Sequence, residues 1–166
     1  MSRSPARPET IVKVADWAVE RGEGVLVTLG LGSCVAIMLH DPVLPAGAMA
    51  HVLLPSKSLA RDQNNPAKFP ETAVPLLVER LKALGADPRR LVAKLAGGAS
   101  MFAQLMTPGT VQMGERNIVA SRNALRAAGI PLVREAVGGA IGRTVRFSLR
   151  DGVVEVRSVG AETHVI

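Results

Sequence analysis

Two apolar runs, Cys34 to Leu39 and Ala48 to Leu54, stand on either side of His40-Asp41-Pro42 through Gly47, and this arrangement constrains the fold more than any other feature of the chain. Proline presets φ, aspartate bonds the backbone that follows it, and glycine admits conformations closed to other residues, so the cluster reads as a turn. Short apolar runs bounded by such a turn read as strands. The two segments are therefore expected to fold back as an antiparallel hairpin. Closing the loop between His40 and Pro45 makes paired residue numbers sum to 85 and sets Cys34 directly opposite His51. Opposed residues on one face of a hairpin carry Cβ atoms about 5 Å apart, close enough for a thiol and an imidazole to meet. A slip of one residue would put them on opposite faces.

That juxtaposition has a chemical meaning. A nearby histidine can take the thiol proton, and the thiolate is the form that attacks an electrophile. Gly30 and Gly32 give the backbone freedom just before Cys34, so that successive N–H groups around Gly32 and Ser33 can be aimed at a developing oxyanion. Thr28 places a hydroxyl on an otherwise apolar strand, where it can accept the second imidazole N–H and orient the ring. The bland readings are equally available from the residues alone: a small buried cysteine, a satisfied core histidine, and a threonine that is simply a strand former.

The remainder of the chain points to one layered domain. With 166 residues, 48% of them apolar, it can bury one sizeable core, expected over residues 10–166 behind a flexible arm of residues 1–9. Ile11 to Ala15 and Val25 to Leu29 read as strands. Thr72 to Leu84 reads as a helix with Pro75 in its first turn, and Leu91 to Ala96 as a strand leaving through Gly97-Gly98 near the site. A second helix is expected from about Glu115 to Ala128. Asp151-Gly152 signals a two-residue hairpin pairing Leu149 with Val154 and Phe147 with Val156. Strands and helices that do not alternate regularly indicate an α+β architecture.

Composition narrows the function classes. The net charge of +6 invites a nucleic-acid reading, but aromatic residues make up 2% with no tyrosine, which leaves no stacking platform, and an acidic protein partner suits the charge as well. No apolar run approaches the roughly 20 residues of a membrane span, and no secretory leader is visible, so a cytoplasmic protein without membrane insertion is expected. One cysteine excludes an internal disulfide, and His40, His51 and His164 show no metal-ligand spacing. Gly30-Leu-Gly32 lacks the last glycine of a dinucleotide fingerprint, Val35 standing there, and enters a strand rather than a helix.

Several motifs in order carry a more specific resemblance. Leu29-Gly-Leu-Gly-Ser-Cys34-Val, Asp41, His51 ahead of Leu54-Pro55, Ala93-Lys-Leu-Ala-Gly97-Gly98-Ala99-Ser-Met-Phe102, Gly114-Glu-Arg-Asn117, and Gly138-Gly139 with Gly142-Arg143 together resemble the CheD family of chemoreceptor glutamine deamidases. Phe69 and Ala48 are mild departures from the pattern, standing where tyrosine and a second glycine are common. The resemblance implies a catalytic set of Thr28, Cys34 and His51, no cofactor, and a layered sandwich of mixed β-sheets flanked by helices, similar to the catalytic domain of cytotoxic necrotizing factor toxins. It also implies a chemoreceptor cytoplasmic glutamine as substrate and, in many members, a CheC-like phosphatase as partner. A second class stays open, a binding regulator of receptors in which the thiol does no chemistry.

Overall fold

The computed structural model describes residues 6–166, which build two five-stranded sheets and two long helices. The strands are β1 (Glu9–Ile11), β2 (Trp17–Arg21), β3 (Val25–Leu31), β4 (Val35–Asp41), β5 (Ala46–Val52), β6 (Val92–Gly97), β7 (Leu132–Val137), β8 (Arg143–Ser148), β9 (Val154–Ser158) and β10 (His164–Val165). Helix α1 spans Pro70–Ala83 and α2 spans Met113–Ala127. The first sheet runs β1-β3-β8-β9-β10 and the second β2-β5-β4-β6-β7. Both are mixed, because β1 pairs parallel to β3 and β6 parallel to β7 while their other neighbours are antiparallel.

The central hairpin β4/β5 is buried at every position, and its period-two alternation sorts side chains into two cores. Val35, Ile37, Leu39, Ala50 and Val52 face the helices, meeting Ala73, Val74, Leu77 and Leu81 of α1 and Ile118 and Leu125 of α2. Ala36, Met38 and Met49 face the first sheet and pack with Leu26, Leu31, Val145, Phe147 and Val154. The layers are thus sheet, sheet, helices, an α+β sandwich of mixed sheets with both helices on the second sheet. Among the described residues no helix is long and apolar enough to cross a membrane.

The hairpin forms where expected but with a different register. Asp41 pairs with Ala46 and Ala36 with His51, so paired numbers sum to 87, not 85. Asp41 is the physical reason. Its Oδ1 accepts the amides of Val43 (3.0 Å) and Leu44 (3.3 Å), which closes the loop over residues 42–45 and keeps Asp41 itself in the strand. Cys34 consequently lies one rung beyond the last pair, Val35 with Val52, and diagonal to His51. Because the shift is by two in the sum, both residues remain on the face turned toward the first sheet.

Other departures have similarly local causes. At the C-terminal hairpin Phe147 pairs with Val154 and Val145 with Val156, since the turn holds the four residues 149–152, closed by Gly152 N–H to Ser148 O at 2.9 Å. The strand expected over Ile11 to Ala15 ends at Ile11, and the chain turns through Ala15 at φ 59° before β2. Strand β2 carries Glu20 and Arg21 because it is a sheet edge, where charged residues are tolerated and useful. Of the arm expected to be flexible, residues 1–5 lie outside the described part. Its remainder is docked: Arg7 donates to Ser148 Oγ at 2.9 Å and Pro8 O accepts from Val25 N at 2.9 Å.

Asp41 is fully buried and takes a bidentate pair from Arg90 (3.0 and 2.8 Å), which holds its carboxyl at about 2, below the usual carboxylate range. A depressed folded-state value means stability that is present above the unfolded value of about 3.9 and lost as pH falls toward about 2. Arg90 is partly solvated, so the contribution is about 1–2 kcal/mol. Asp41→Asn is expected to lose about that much at neutral pH and to flatten the acid limb between about pH 4 and 2, read by urea unfolding across pH.

Candidate active site

Three elements meet at one end of the space between the sheets. Strand β3 supplies Thr28 from the first sheet, β5 supplies His51 from the second, and the link from β3 to β4, where the chain crosses between sheets, carries Gly32, Ser33 and Cys34. Thr28 and His51 are fully buried, while the link is half-exposed. The link therefore meets solvent while the Thr28 and His51 pair does not.

Thr28 Oγ1 lies 2.7 Å from His51 Nδ1 and 2.7 Å from the carbonyl of Val12. A hydroxyl has one proton, and a carbonyl can only accept, so Thr28 donates to Val12 and accepts from His51 Nδ1–H. The neutral ring then carries its lone pair on Nε2. That atom is buried and makes no hydrogen bond among the described residues, on the face it shares with Cys34. Cys34 is half-buried and packs against the intersheet core.

Burial dominates both ionisations. It pushes the Cys34 thiol above its ordinary value, with the residue's own amide offsetting part of the effect. It pushes His51 below the usual imidazole value, the Val12 carbonyl pulling the other way. At neutral pH the pair is therefore a thiol and a neutral imidazole, rather than the thiolate and imidazolium that proximity alone would favour. Such a pair can still generate the nucleophile, by transferring the proton to Nε2 as the sulphur attacks.

The sequence candidates behave differently from one another. Gly32 and Ser33 lie on the link, and their amides bond no acceptor among the described residues, which leaves them available to a developing oxyanion. Gly97 and Gly98 sit behind the link and are buried. Gly98 N–H donates to Cys34 O and Ala99 N–H to Gly32 O, both at 2.8 Å. Gly97 has φ 110°, and a Cβ there would lie 2.3 Å from Cys34 O, so only glycine allows β6 to approach the Cys34 backbone. Lys94 is remote, its Nζ bonded to the carbonyls of Gly152 and Ile166 at 2.9 and 2.8 Å. Among the described residues no cluster of histidine, cysteine and carboxylates could hold a metal ion.

Sequence reasoning missed three contributors. The Val12 carbonyl, which fixes the Thr28 hydroxyl, is backbone and leaves no sequence trace. Arg143, noted only within a motif, braces the link's support by donating to Gly97 O (3.2 Å) and Gly138 O (2.7 Å). Asn117, likewise noted only within a motif, donates to Ser33 O (2.9 Å) and Leu53 O (3.1 Å) from the buried face of α2. A polar residue in helical register with Gly114, Ile118, Ser121 and Leu125 was its available signal.

A thiol, an oriented neutral imidazole and unspent amides between two sheets are the groups that thiol-dependent hydrolases employ. The chain belongs to the CheD family: the family model described as CheD chemotactic sensory transduction matches residues 53–158. Relatives agree along nearly the whole length. The chemoreceptor glutamine deamidase CheD of Thermotoga maritima is 45% identical over 150 residues, 90% of this chain and 92% of the relative. Proteins described as probable chemoreceptor glutamine deamidase CheD from Moorella thermoacetica (44% over 163 residues, 95% of each chain) and Caldanaerobacter subterraneus (41% over 149 residues, 90% and 92%) are similarly close. Among solved structures, the hypothetical protein YfiH of Bacillus licheniformis aligns with TM-score 0.47 and 14% identity over 73% of this chain and 49% of its own. The family-model segment begins after His51, so the Cys34 and His51 arrangement stands on geometry.

The packing of Gly97 gives a direct check. Gly97→Ala must displace either β6 or the Cys34 carbonyl and also strain a positive φ, and is expected to cost about 3 kcal/mol in urea unfolding. Gly129→Ala, at a positive φ with open space around it, should cost only about 1 kcal/mol.

Proposed function

We propose that the chain is a protein-glutamine deamidase acting on chemoreceptors, with Cys34 as nucleophile and His51 as its base and acid. The observation that carries this reading is the Thr28 to His51 hydrogen bond at 2.7 Å, which turns a lone pair on Nε2 toward the face that holds the thiol. The names of the relatives supply the electrophile. Cys34 sulphur adds to the side-chain carboxamide carbon of a receptor glutamine as its proton passes to His51 Nε2. The oxygen takes up the developing negative charge, facing the amides of Gly32 and Ser33.

Collapse of the tetrahedral adduct breaks the C–N bond, and the proton held by His51 goes to the departing nitrogen, which leaves as ammonia. Water, deprotonated by the same ring, then opens the thioester, giving glutamate and the free thiol. Neutral amide has become carboxylate, which alters the charge of the receptor's helical cytoplasmic region and regulates chemotaxis.

An extended protein substrate suits the surroundings. Met101 lies against Gly32, within 3.2 Å of where a Cβ would stand, and Phe102, Leu105 and Met106 beside it are exposed. Clustered exposed apolar side chains at a reactive loop favour a protein surface as ligand. The same reading places the protein in the cytoplasm beside membrane-bound receptors, with a CheC-like phosphatase as a further partner.

The experiment is incubation with a chemoreceptor cytoplasmic fragment, with Gln→Glu conversion read by peptide mass spectrometry and ammonia release measured in parallel. Cys34→Ala and His51→Ala are expected to abolish both; undiminished conversion by Cys34→Ala would remove the mechanism, and receptor binding without ammonia release by the intact chain would favour a binding regulator. The base must be neutral, and burial lowers its value, so the acid limb of kcat/KM is expected below the ordinary imidazole value of about 6.5. A limb at or above that value would contradict a desolvated His51.

A further inference from the structure

We infer that Asn117 is a positioning residue for the deamidation proposed above, its carboxamide fixing the distance between the two backbone segments that carry Cys34 and His51. The β4/β5 ladder ends at Val35 and Val52. Beyond that rung the two chains part: the amides of Leu53 and Leu54 turn to Lys68 O at 2.9 and 3.1 Å, and Cys34 O turns to Gly98 N. The carbonyls of Ser33 and Leu53 point into the gap, and the two protons of Asn117 Nδ2 satisfy one each, at 2.9 and 3.1 Å. Ser33 immediately precedes the nucleophile, and Leu53 follows His51 by two residues. One amide group thus replaces the missing rung of the hairpin at the point where the sequence must leave the ladder to present the thiol.

The register makes this bridge consequential. Directly opposed side chains would be held together by the ladder itself, but Cys34 and His51 are diagonal, a relation that usually spans about 7–8 Å between α-carbons and depends on how the strand end bends. The helix that delivers the amide is fixed to the same support. Gly114 packs so closely on β6's exit that a Cβ would stand 2.5 Å from Gly98 O and 2.6 Å from Ala99 O. Asn117 is fully buried, and its Oδ1 has no partner among the described residues. Reversing the amide would set that oxygen against two carbonyls, so the network fixes the orientation. A buried oxygen without a partner is unfavourable, and an apolar residue would avoid it; the two donated bonds account for an amide at this position.

The test uses Asn117→Asp, which keeps the shape but loses the paired donors, Asn117→Ala, and Ser121→Ala as a control on the same buried face. Ser121 Oγ donates to Asn117 O at 2.7 Å and makes no hydrogen bond to either segment of the bridge among the described residues. Each protein is assayed well below its own melting midpoint. Two readouts are taken: kcat and KM for ammonia release from a receptor fragment, and the pH dependence of Cys34 alkylation by iodoacetamide, which needs no substrate. The expectation is a fall in kcat of about a hundredfold for both Asn117 variants with KM within about twofold, the scale set by a misplacement of about 1 Å between reacting groups. Their alkylation profiles should move onto that of His51→Ala, while Ser121→Ala keeps both wild-type values.

Asn117 variants that retain the wild-type alkylation profile, or that raise KM with kcat unchanged, would overturn the positioning role. So would losses that merely track melting, matched by Ser121→Ala. If the intact chain releases no ammonia, the deamidase reading fails, yet the alkylation profiles still decide whether Asn117 couples thiol to imidazole.

Discussion

The hydrogen bond between Thr28 and His51 joins the two sheets through buried polar side chains at the end of the sandwich that carries Cys34. Everything around it follows from the cost of burying an imidazole. A ring in an apolar interior needs a partner for its N–H, and here that partner is a hydroxyl whose own proton is committed to the Val12 carbonyl. The chain of donors fixes which nitrogen is protonated, and so fixes which one is free. The apolar sandwich is therefore more than a support: it selects the neutral tautomer and lowers the ring's basicity, while raising the thiol's.

A neutral thiol has a chemical advantage where the single cysteine lies half-exposed. A standing thiolate would react with any passing oxidant or electrophile, whereas a thiol that keeps its proton is far less reactive. The half-exposed link of Gly32, Ser33 and Cys34 is backed by Gly97 and Gly98, so the chain reaches solvent there without loosening the core. Under the proposed function, that combination suits a side chain delivered by another protein.

Much of this was legible in the sequence because it rests on local rules. Turn residues around Asp41 announced the hairpin, and the parity of its register put Cys34 and His51 on one face even though the offset was two residues different. The difference came from Asp41, whose side chain does more than mark the turn, since it caps the loop and anchors Arg90 from another segment. Thr28 was identifiable as a hydroxyl on an apolar strand, but the sheet-to-sheet contact that gives it meaning is long-range. The same limit applies to Asn117 and Arg143, which act on backbone carbonyls far away in the chain, and to β2, whose edge position permits charges that obscure a strand pattern. The glycines of the Gly97-Gly98 segment read as a strand exit, and the structure adds that Gly97 is needed for close approach to Cys34 and Gly98 for close approach to Ile118 of α2.

The most direct test of the account is the protonation state of His51, read from its side-chain nitrogen resonances by NMR in the free protein as pH is varied. The Thr28 acceptor predicts a neutral ring protonated on Nδ1 and bare on Nε2 at neutral pH, titrating below the ordinary imidazole value. A ring protonated on Nε2, or an imidazolium persisting to neutral pH, would contradict it.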